Sequence, residues 1–386
     1  MANMEHALRS AIDRIQAARA DGTPLCLRGG GSKDFLGRSH GDLLDTRAFS
    51  GVISYEPTEL VVTVGCGTPL LELEALLAEQ GQYLPFEPPH FSWSQAAAGS
   101  PSAATVGGML ATGLAGPARA SVGGVRDYVL GLKLINGLGQ HLTFGGQVMK
   151  NVAGYDVSRL MVGARGSLGL LTEVSLKVLP RAPAEATLRF RLEQQEALEQ
   201  LHRWGGQPLP LNASCWVCDA NQPALYVRLR GAVAAVEAAC QKMLCEVAGA
   251  RLDNAQTDPD WALCRDQQLP FFSQRPSADA LLWRLSLPQT AAVLALPAAP
   301  LVEWHGALRW LWAPAAAAAE LQATARQAGG SAAVFWSGAP APLGSTQALV
   351  PTSAALAAIS QRLKASFDPQ RLFNPGLSTD ANQSRT

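Results

Sequence analysis

The sequence predicts an α+β protein of two domains, and three observations carry that prediction. Sixteen glycines fall between Gly99 and Gly169, interleaved with strand-like and helix-like pieces. The composition then changes after Pro180: 26 of the 36 glycines precede residue 170, whereas eight of the nine tryptophans follow residue 200. Beyond that change, strand patterns (ATLRFRL, ALYVRLRG, ALLWRLSLP, SAAVFWSG) alternate with helical ones at 197–204, 232–247 and 315–328, which reads as an antiparallel sheet with helices on one face. The boundary falls near Arg181–Glu185, giving domains at 1–182 and 183–350 and a C-terminal segment at 351–386.

A chain of 386 residues, 48% hydrophobic, has ample material for a large core. Its 31 basic and 31 acidic residues balance to a net charge of +0, so neither a basic nucleic-acid surface nor an acidic tail is indicated. Near-zero charge in so apolar a chain suits a subunit that works inside a complex. No run of 18 apolar residues marks a transmembrane helix. The N-terminal stretch carries Glu5, Arg9, Asp13 and Arg14 at helical spacing and lacks the apolar core of a signal peptide. Seven scattered cysteines fit a reducing cytoplasm, with any link to the inner face of the cell membrane made through partners. Cys215 and Cys218 form one CxxC, but no second cysteine pair completes a zinc site. SCWVCDA alternates like a strand, placing the two thiols on opposite faces.

In chain order, residues 4–20 read as an amphipathic helix, closed by the turn Asp21-Gly22-Thr23-Pro24. LCLRGGGSKDF reads as a short buried strand entering a glycine loop. There Arg28, Gly29, Gly30, Gly31, Ser32 and Lys33 can present successive backbone N–H groups to an anion. The loop matches neither GxxxxGK[ST] nor GxGxxG. Strands follow near Leu43–Leu44 and at LVVTVGCG, and a helix spans Leu70–Leu77. Pro101 then leads to Thr105, Val106, Gly107 and Gly108, where a helix would begin with its N–H groups aimed at the loop. Two such anion loops suit a diphosphate; a glycine-rich surface loop with no partner is the alternative. VLGLKLINGLGQHLTF reads as a hairpin turning at Asn136-Gly137.

RGGGSK, PSAATVGGMLATGLAGP, GGVRDYVLGLKLINGLGQ and GYDVSRLMVGARGSLGLLTEVSLKVLP together resemble the PCMH-type FAD-binding domain of the vanillyl-alcohol oxidase family, over roughly residues 20–182. VMKNVAGYDVSRLMVG and the Trp-rich second half are most similar to the small flavoprotein subunits of bacterial glycolate oxidases. The resemblance implies that Arg28–Lys33, with Pro101, Thr105, Val106, Gly107 and Gly108, line the FAD pyrophosphate. The family's E-G-T-L-G-I segment, near the flavin ring and ribityl chain, matches Arg165, Gly166, Ser167, Leu168, Gly169 and Leu170, with arginine in place of the glutamate and serine in place of the threonine. The first loop has no histidine for a covalent bond, so non-covalent FAD is expected. The second domain resembles the family's cap. Phe367–Gly376 resembles its F-D-P-x-x-x-x-N-P-G signature, which returns to the flavin domain ahead of a tail that looks disordered.

Oxidising a 2-hydroxy acid requires a cation for the carboxylate, a base or metal at the hydroxyl, and the α-hydrogen facing the flavin. By resemblance, Arg265 in W-x-x-R and Arg284, where relatives carry a cap lysine, are the carboxylate ligands; solvated or ion-paired arginines are the alternative. Catalytic relatives also carry H-x-G-D-G-N-x-H for a divalent metal. Here the region reads VEWHGALRW, and no histidines stand at i, i+3 or i, i+4, so no metal is expected. His305 is left as a lone candidate base, or as a satisfied structural histidine. The resemblance therefore implies an FAD-binding subunit of a complex oxidising glycolate or a similar 2-hydroxy acid. A second flavoprotein subunit and an iron–sulfur subunit would be its partners, because this chain has no cysteine pattern for a cluster. The alternatives are a stand-alone FAD-dependent 2-hydroxy-acid dehydrogenase and a non-catalytic flavin-binding assembly subunit.

Overall fold

The structure is a computed structural model that describes residues 2–37, 39–92, 103–146, 156–219, 222–338 and 354–377. The helix Ala2–Asp21 buries Ala7, Ala11, Ile15 and Ala18, one stripe at helical spacing, against Leu25, Phe49, Ile135 and Phe373. Gly22, at φ +69, ends it in the left-handed conformation that glycine adopts without strain. Leu25–Arg28 then pairs in parallel with Asp42–Asp45, and the RGGGSK loop leaves from the end of that strand.

A five-stranded antiparallel sheet follows, in the spatial order Val52–Glu56, Val61–Gly65, Leu170–Lys177, Val129–Ile135, His141–Gly145. Its central strand, Leu170–Lys177, is buried along nearly all its length, as its almost unbroken apolar run requires. The Asn136-Gly137 turn is a loop from Asn136 to Gln140 rather than a two-residue hairpin. The Asn136 side chain accepts from the N–H groups of Leu138 and Gln140, and Gly139 supplies the positive φ. Gly137 is needed for a different reason: a Cβ there would lie 2.5 Å from the Asp368 carboxylate.

That contact belongs to the C-terminal segment, which follows the helix Ala354–Phe367. The Leu25 N–H donates to the Leu372 carbonyl, the Asn374 N–H donates to the Leu25 carbonyl, and the Asn374 side chain bridges the Leu27 N–H and the Arg165 carbonyl. Lys364, fully inside, donates to Asp368 and to the carbonyls of Ser167 and Phe373.

The second sheet has eight strands, in the order Gly249–Leu252, Ala184–Phe190, Gln222–Gly231, Leu211–Asp219, Leu301–Glu303, Leu308–Pro314, Ala280–Ser286, Ser331–Trp336. Every pairing in it is antiparallel. One face packs on the helices Gln194–Gly205, Val233–Glu246 and Ala318–Gln327. The opposite face, through Cys215, Leu308, Trp310 and Trp312, meets Phe35, Leu36 and Phe91 of the N-terminal region together with a fourth helix, Asn254–Arg265. This helix is absent from the sequence reading: Pro259 and its many polar residues mask the periodicity. The helix expected at 315–328 opens as a 3-10 turn, Ala315–Ala317, before the α-helix begins. Between the two sheets, Glu87 is bound by Arg228 at 2.7 Å and Arg230 at 3.1 Å; burial would raise its pKa, but the two guanidiniums hold it below the usual value.

Candidate functional site

The two glycine loops meet. A Cβ on Gly29 would stand 2.5 Å from the Thr105 hydroxyl, and one on Gly30 would stand 1.4 Å from the Ala103 carbonyl oxygen. No side chain fits at either place. The cleft they form is lined by Gly29–Lys33, Thr105, Gly108, Thr112, Arg165 and Asn374, among others. Arg28 does not point its guanidinium into an anion: it closes the loop by pairing with Asp34 at 2.8 Å.

The loops differ in what their backbones offer. Among the described residues, the N–H groups of Gly29, Gly30, Gly31 and Lys33 have no acceptor within the chain. In the second loop the Val106 N–H donates to Thr68 and the Gly107 N–H to Cys66, while Gly108 donates to the Thr105 side chain at the N-cap of the helix Val106–Thr112. Val106 and Gly107 thus hold the helix to its neighbours, and Thr105 and Gly108 form the wall. Pro101 lies outside the described residues. In the 165–170 segment, Arg165 itself lines the cleft. Gly166 turns at φ +68 beside Asn374, the Ser167 hydroxyl donates to Ala164, and Gly169 leads into the strand that begins at the core residue Leu170.

Electrostatics complete the cleft. Lys33 approaches the Ser32 hydroxyl at 3.2 Å, and burial lowers its pKa to about 8. Arg165 is likewise shifted down by burial. Two desolvated cations beside a row of unengaged N–H groups fit a pyrophosphate.

A second cavity, closed down to about 10 Å³, lies between the sheets, walled by Phe91, Leu114–Gly116, Arg265, Arg284, Glu303, Trp304 and Trp310. Both predicted carboxylate ligands reach it, in different states. Arg265 is neutralised by Asp266 at 2.7 Å. Arg284 stacks over Trp304 and Trp310, with its charge lowered to a pKa of about 10 by burial and by Arg119. Glu303 is the residue that sequence reasoning missed. Its carboxylate accepts from the Trp310 indole N–H at 2.6 Å and the Cys264 thiol at 3.3 Å, and burial pushes its pKa up to about 7. His305 is not among the residues walling the cavity. Its ring nitrogens meet the hydroxyls of Ser121 and Ser214, each at 2.9 Å, and burial lowers its pKa to about 4. Cys215 is buried on the cavity-facing side of its strand and Cys218 is half-buried; all seven cysteines are reduced thiols. Among the described residues, no cluster of three His, Cys, Asp or Glu could hold a metal, and no helix is long and apolar enough to cross a membrane.

Comparison with known proteins agrees with this geometry. A family model described as an FAD binding domain matches residues 9–145. The glycolate oxidase subunit GlcE of Escherichia coli is 44% identical over 95% of this chain and 96% of its own length. Two further relatives match about half of this chain and less than half of their own: the glycolate oxidase subunit GlcD of Bacillus subtilis, 30% identical over 47% of this chain and 35% of its own, and the D-2-hydroxyglutarate dehydrogenase of Xanthomonas citri pv. viticola, 28% identical over 50% and 41%. Among solved structures, an alkyldihydroxyacetonephosphate synthase superimposes with a TM-score of 0.63 over 95% of this chain and 75% of its own, at 15% identity, which shows the shared fold alone. The two-loop cleft, the α+β architecture and near-full-length identity together place this chain in the GlcE family of FAD-binding, PCMH-type flavoproteins.

Proposed function

We propose that this chain is the FAD-holding subunit of a complex that oxidises glycolate to glyoxylate, working beside a second flavoprotein subunit and passing electrons to an iron–sulfur subunit. Identity to GlcE along the whole chain carries the reading. Bound FAD would supply the redox chemistry by accepting the electron pair of the hydroxy acid. The chain's own residues bind and orient. Gly29–Gly31 and Lys33 would hold the pyrophosphate through backbone N–H groups, Arg165 would add a cation, and Thr105 with Gly108 would shape the opposite wall. The described residues lining the cleft include no histidine or cysteine, which supports a non-covalent cofactor. Attachment to the inner face of a membrane would run through the partner subunits.

Two readings compete on what the second cavity does. Arg284 and Glu303 favour a site that meets a 2-hydroxy acid; the two hydroxyls that engage His305 favour a structural histidine over a base. The deciding experiment purifies the chain alone and with the two partners. Co-purification of all three, with glycolate bleaching the flavin anaerobically in the complex, is the expected result. Failure to associate overturns the complex, and a colourless purified chain overturns FAD holding.

A further inference from the structure

We infer that the large sheet and the helix Asn254–Arg265 border a further ligand site, separate from the cofactor cleft, for a ring compound that carries a hydrogen-bond donor and no negative charge. The site stands apart from the proposed function, because among the described residues it holds no cation for a hydroxy-acid carboxylate.

A cavity of about 480 Å³ lies on the face of the large sheet that carries Cys215 and Trp312, in the size range of small-molecule pockets. Its other wall is made by the helix Asn254–Arg265 and the short helix Pro270–Ser273. Two indoles pin those helices to the sheet. Trp261 of the longer helix donates its N–H to the Thr187 hydroxyl at 3.0 Å, and Trp312 of the sheet donates to the Phe271 carbonyl at 2.7 Å. All four residues line the cavity, so the helices are held at this distance and do not collapse onto the strands. Protein interiors leave few voids larger than a water molecule, and a space of this volume between pinned elements is a preformed pocket. The turn between the two helices passes through Gln267 at φ +55, a left-handed conformation that is costly without glycine. The Gln268 N–H closes that turn by donating to the Leu263 carbonyl at 2.8 Å.

The lining decides what fits. Tyr226, Trp261, Phe271 and Trp312 give aromatic surface, and Val217 and Leu301 add aliphatic surface. Rings recognise rings through offset or edge contacts. The CxxC residues Cys215 and Cys218 belong to the same wall, as soft, polarizable surface. Among the described lining residues there is no arginine, lysine or histidine, and Asp260 is the one charged group. An anion would meet that carboxylate with no cation to offset it, which disfavours phosphates, nucleotides and the hydroxy acid itself. The Tyr226 hydroxyl, the Gln274 amide and the Asp260 carboxylate make no hydrogen bond among the described residues, unlike the two indoles beside them. All three can accept, so they favour a ligand with an N–H or O–H to donate. Cys264 is the one described residue that lines both this cavity and the closed one at Glu303, and none of the lining residues belongs to the cofactor cleft.

The test uses N-phenyl-1-naphthylamine, a neutral three-ring amine, and 8-anilinonaphthalene-1-sulfonate, the same skeleton with a sulfonate added. Each is titrated by fluorescence into the FAD-loaded chain. Wild type is expected to bind the neutral dye saturably at micromolar concentration, and the sulfonate about tenfold more weakly or worse. Val217→Trp sets an indole into the cavity from a strand, where aromatic residues are well tolerated, and should weaken the neutral dye about tenfold or more. Asp260→Lys, at an exposed position, should narrow the gap between the dyes severalfold. Leu356→Ser, at an exposed apolar position on another helix, should change nothing. The site is refuted if wild type does not bind the neutral dye, or if Val217→Trp with wild-type circular dichroism binds it unchanged. Loss of binding in Leu356→Ser also refutes it, by putting the dye on a surface patch. Equal affinity for the two dyes in wild type overturns the assigned ligand class, as does an Asp260→Lys variant that leaves their ratio unchanged. Should Val217→Trp not fold, Asp260→Lys decides alone.

Discussion

The cofactor cleft and the cavity between the sheets are built on opposite plans. The cleft is a backbone site: glycines packed against a neighbouring loop leave a row of N–H groups with no acceptor in the chain, and only two cations assist. The cavity is a side-chain site, walled by aromatic rings, a stacked guanidinium, an ion-paired one and one buried carboxylate. A backbone site depends on the absence of Cβ atoms and tolerates no addition. A side-chain site can be rewritten residue by residue while the fold stands. The contrast explains why FAD binding is read so plainly here and turnover so poorly.

The harshest way to break that contrast is Gly30→Ala. Its Cβ would overlap the Ala103 carbonyl oxygen at 1.4 Å, a backbone atom that cannot rotate away. Overpacking of this kind costs about 3 kcal/mol or more, so FAD affinity is expected to fall about a hundredfold. The flavin-to-protein absorbance ratio after gel filtration reads this directly; a yellow Gly30→Ala protein would refute the contact of the loops. Next is Lys33→Ala, which removes one cation and no backbone donor. A charge-assisted bond of about 1.5–3 kcal/mol is lost, so the Kd for FAD, followed by flavin fluorescence, is expected to rise tenfold or more. If the two variants lose equal affinity, the backbone plan is wrong.

Glu303 sharpens the other side of the comparison. Burial raises its pKa from 4.5 to about 7, so the folded protein binds a proton there that the unfolded chain has released. The protonated form is the one the fold favours: its stabilising effect is complete below pH 4.5 and disappears as pH rises through about 7. Melting temperature should therefore fall between pH 6 and pH 8 in wild type, by a few degrees at most. In Glu303→Gln that slope should flatten, whatever the variant's absolute stability. An unchanged slope would show that another group titrates.

The glycine loops, the strands on either side of them and the antiparallel character of the second sheet were legible because each has a local cause: a missing Cβ, an apolar run, a period of two. The engagement of Val106 and Gly107 by Thr68 and Cys66 was not legible, since it depends on which strand end lies beneath the helix. Nor was the helix Asn254–Arg265, where Pro259 and acidic residues conceal a buried Trp261 and Cys264. Glu303 sits in a three-residue strand paired with Cys215, too short to show an alternation. Arg119 and Trp304 are far apart in sequence, and two left-handed residues bring the indole into reach of the guanidinium. The one local hint in the sequence was Gly306 after His305, a glycine suited to ending a left-handed turn.

The smallest expected effect concerns a buried cation that meets neither a carboxylate nor a cavity among the described residues. Arg309 is fully buried on the face of the large sheet away from the cavity, between Leu285 and Val302 of the adjacent strands. Its Nη2 donates to the Ala291 carbonyl at 2.8 Å, while Nε and Nη1 have no partner among the described residues. Burial lowers its pKa to about 10. Arg284 lines the cavity between the sheets and stacks on Trp304 and Trp310, whereas Arg309, among the described residues, lines no cavity and lies over no ring. A cation so placed is a desolvation cost without a client, and apolar replacement of buried charges is commonly neutral or stabilising by about 1 kcal/mol or more. Arg309→Leu is therefore expected to leave FAD content unchanged and to raise the denaturation midpoint slightly. A loss of several kcal/mol in that variant would mean that Arg309 holds the 287–300 loop in place through more than its one carbonyl. The division between ligand-facing and structural cations would then have to be redrawn.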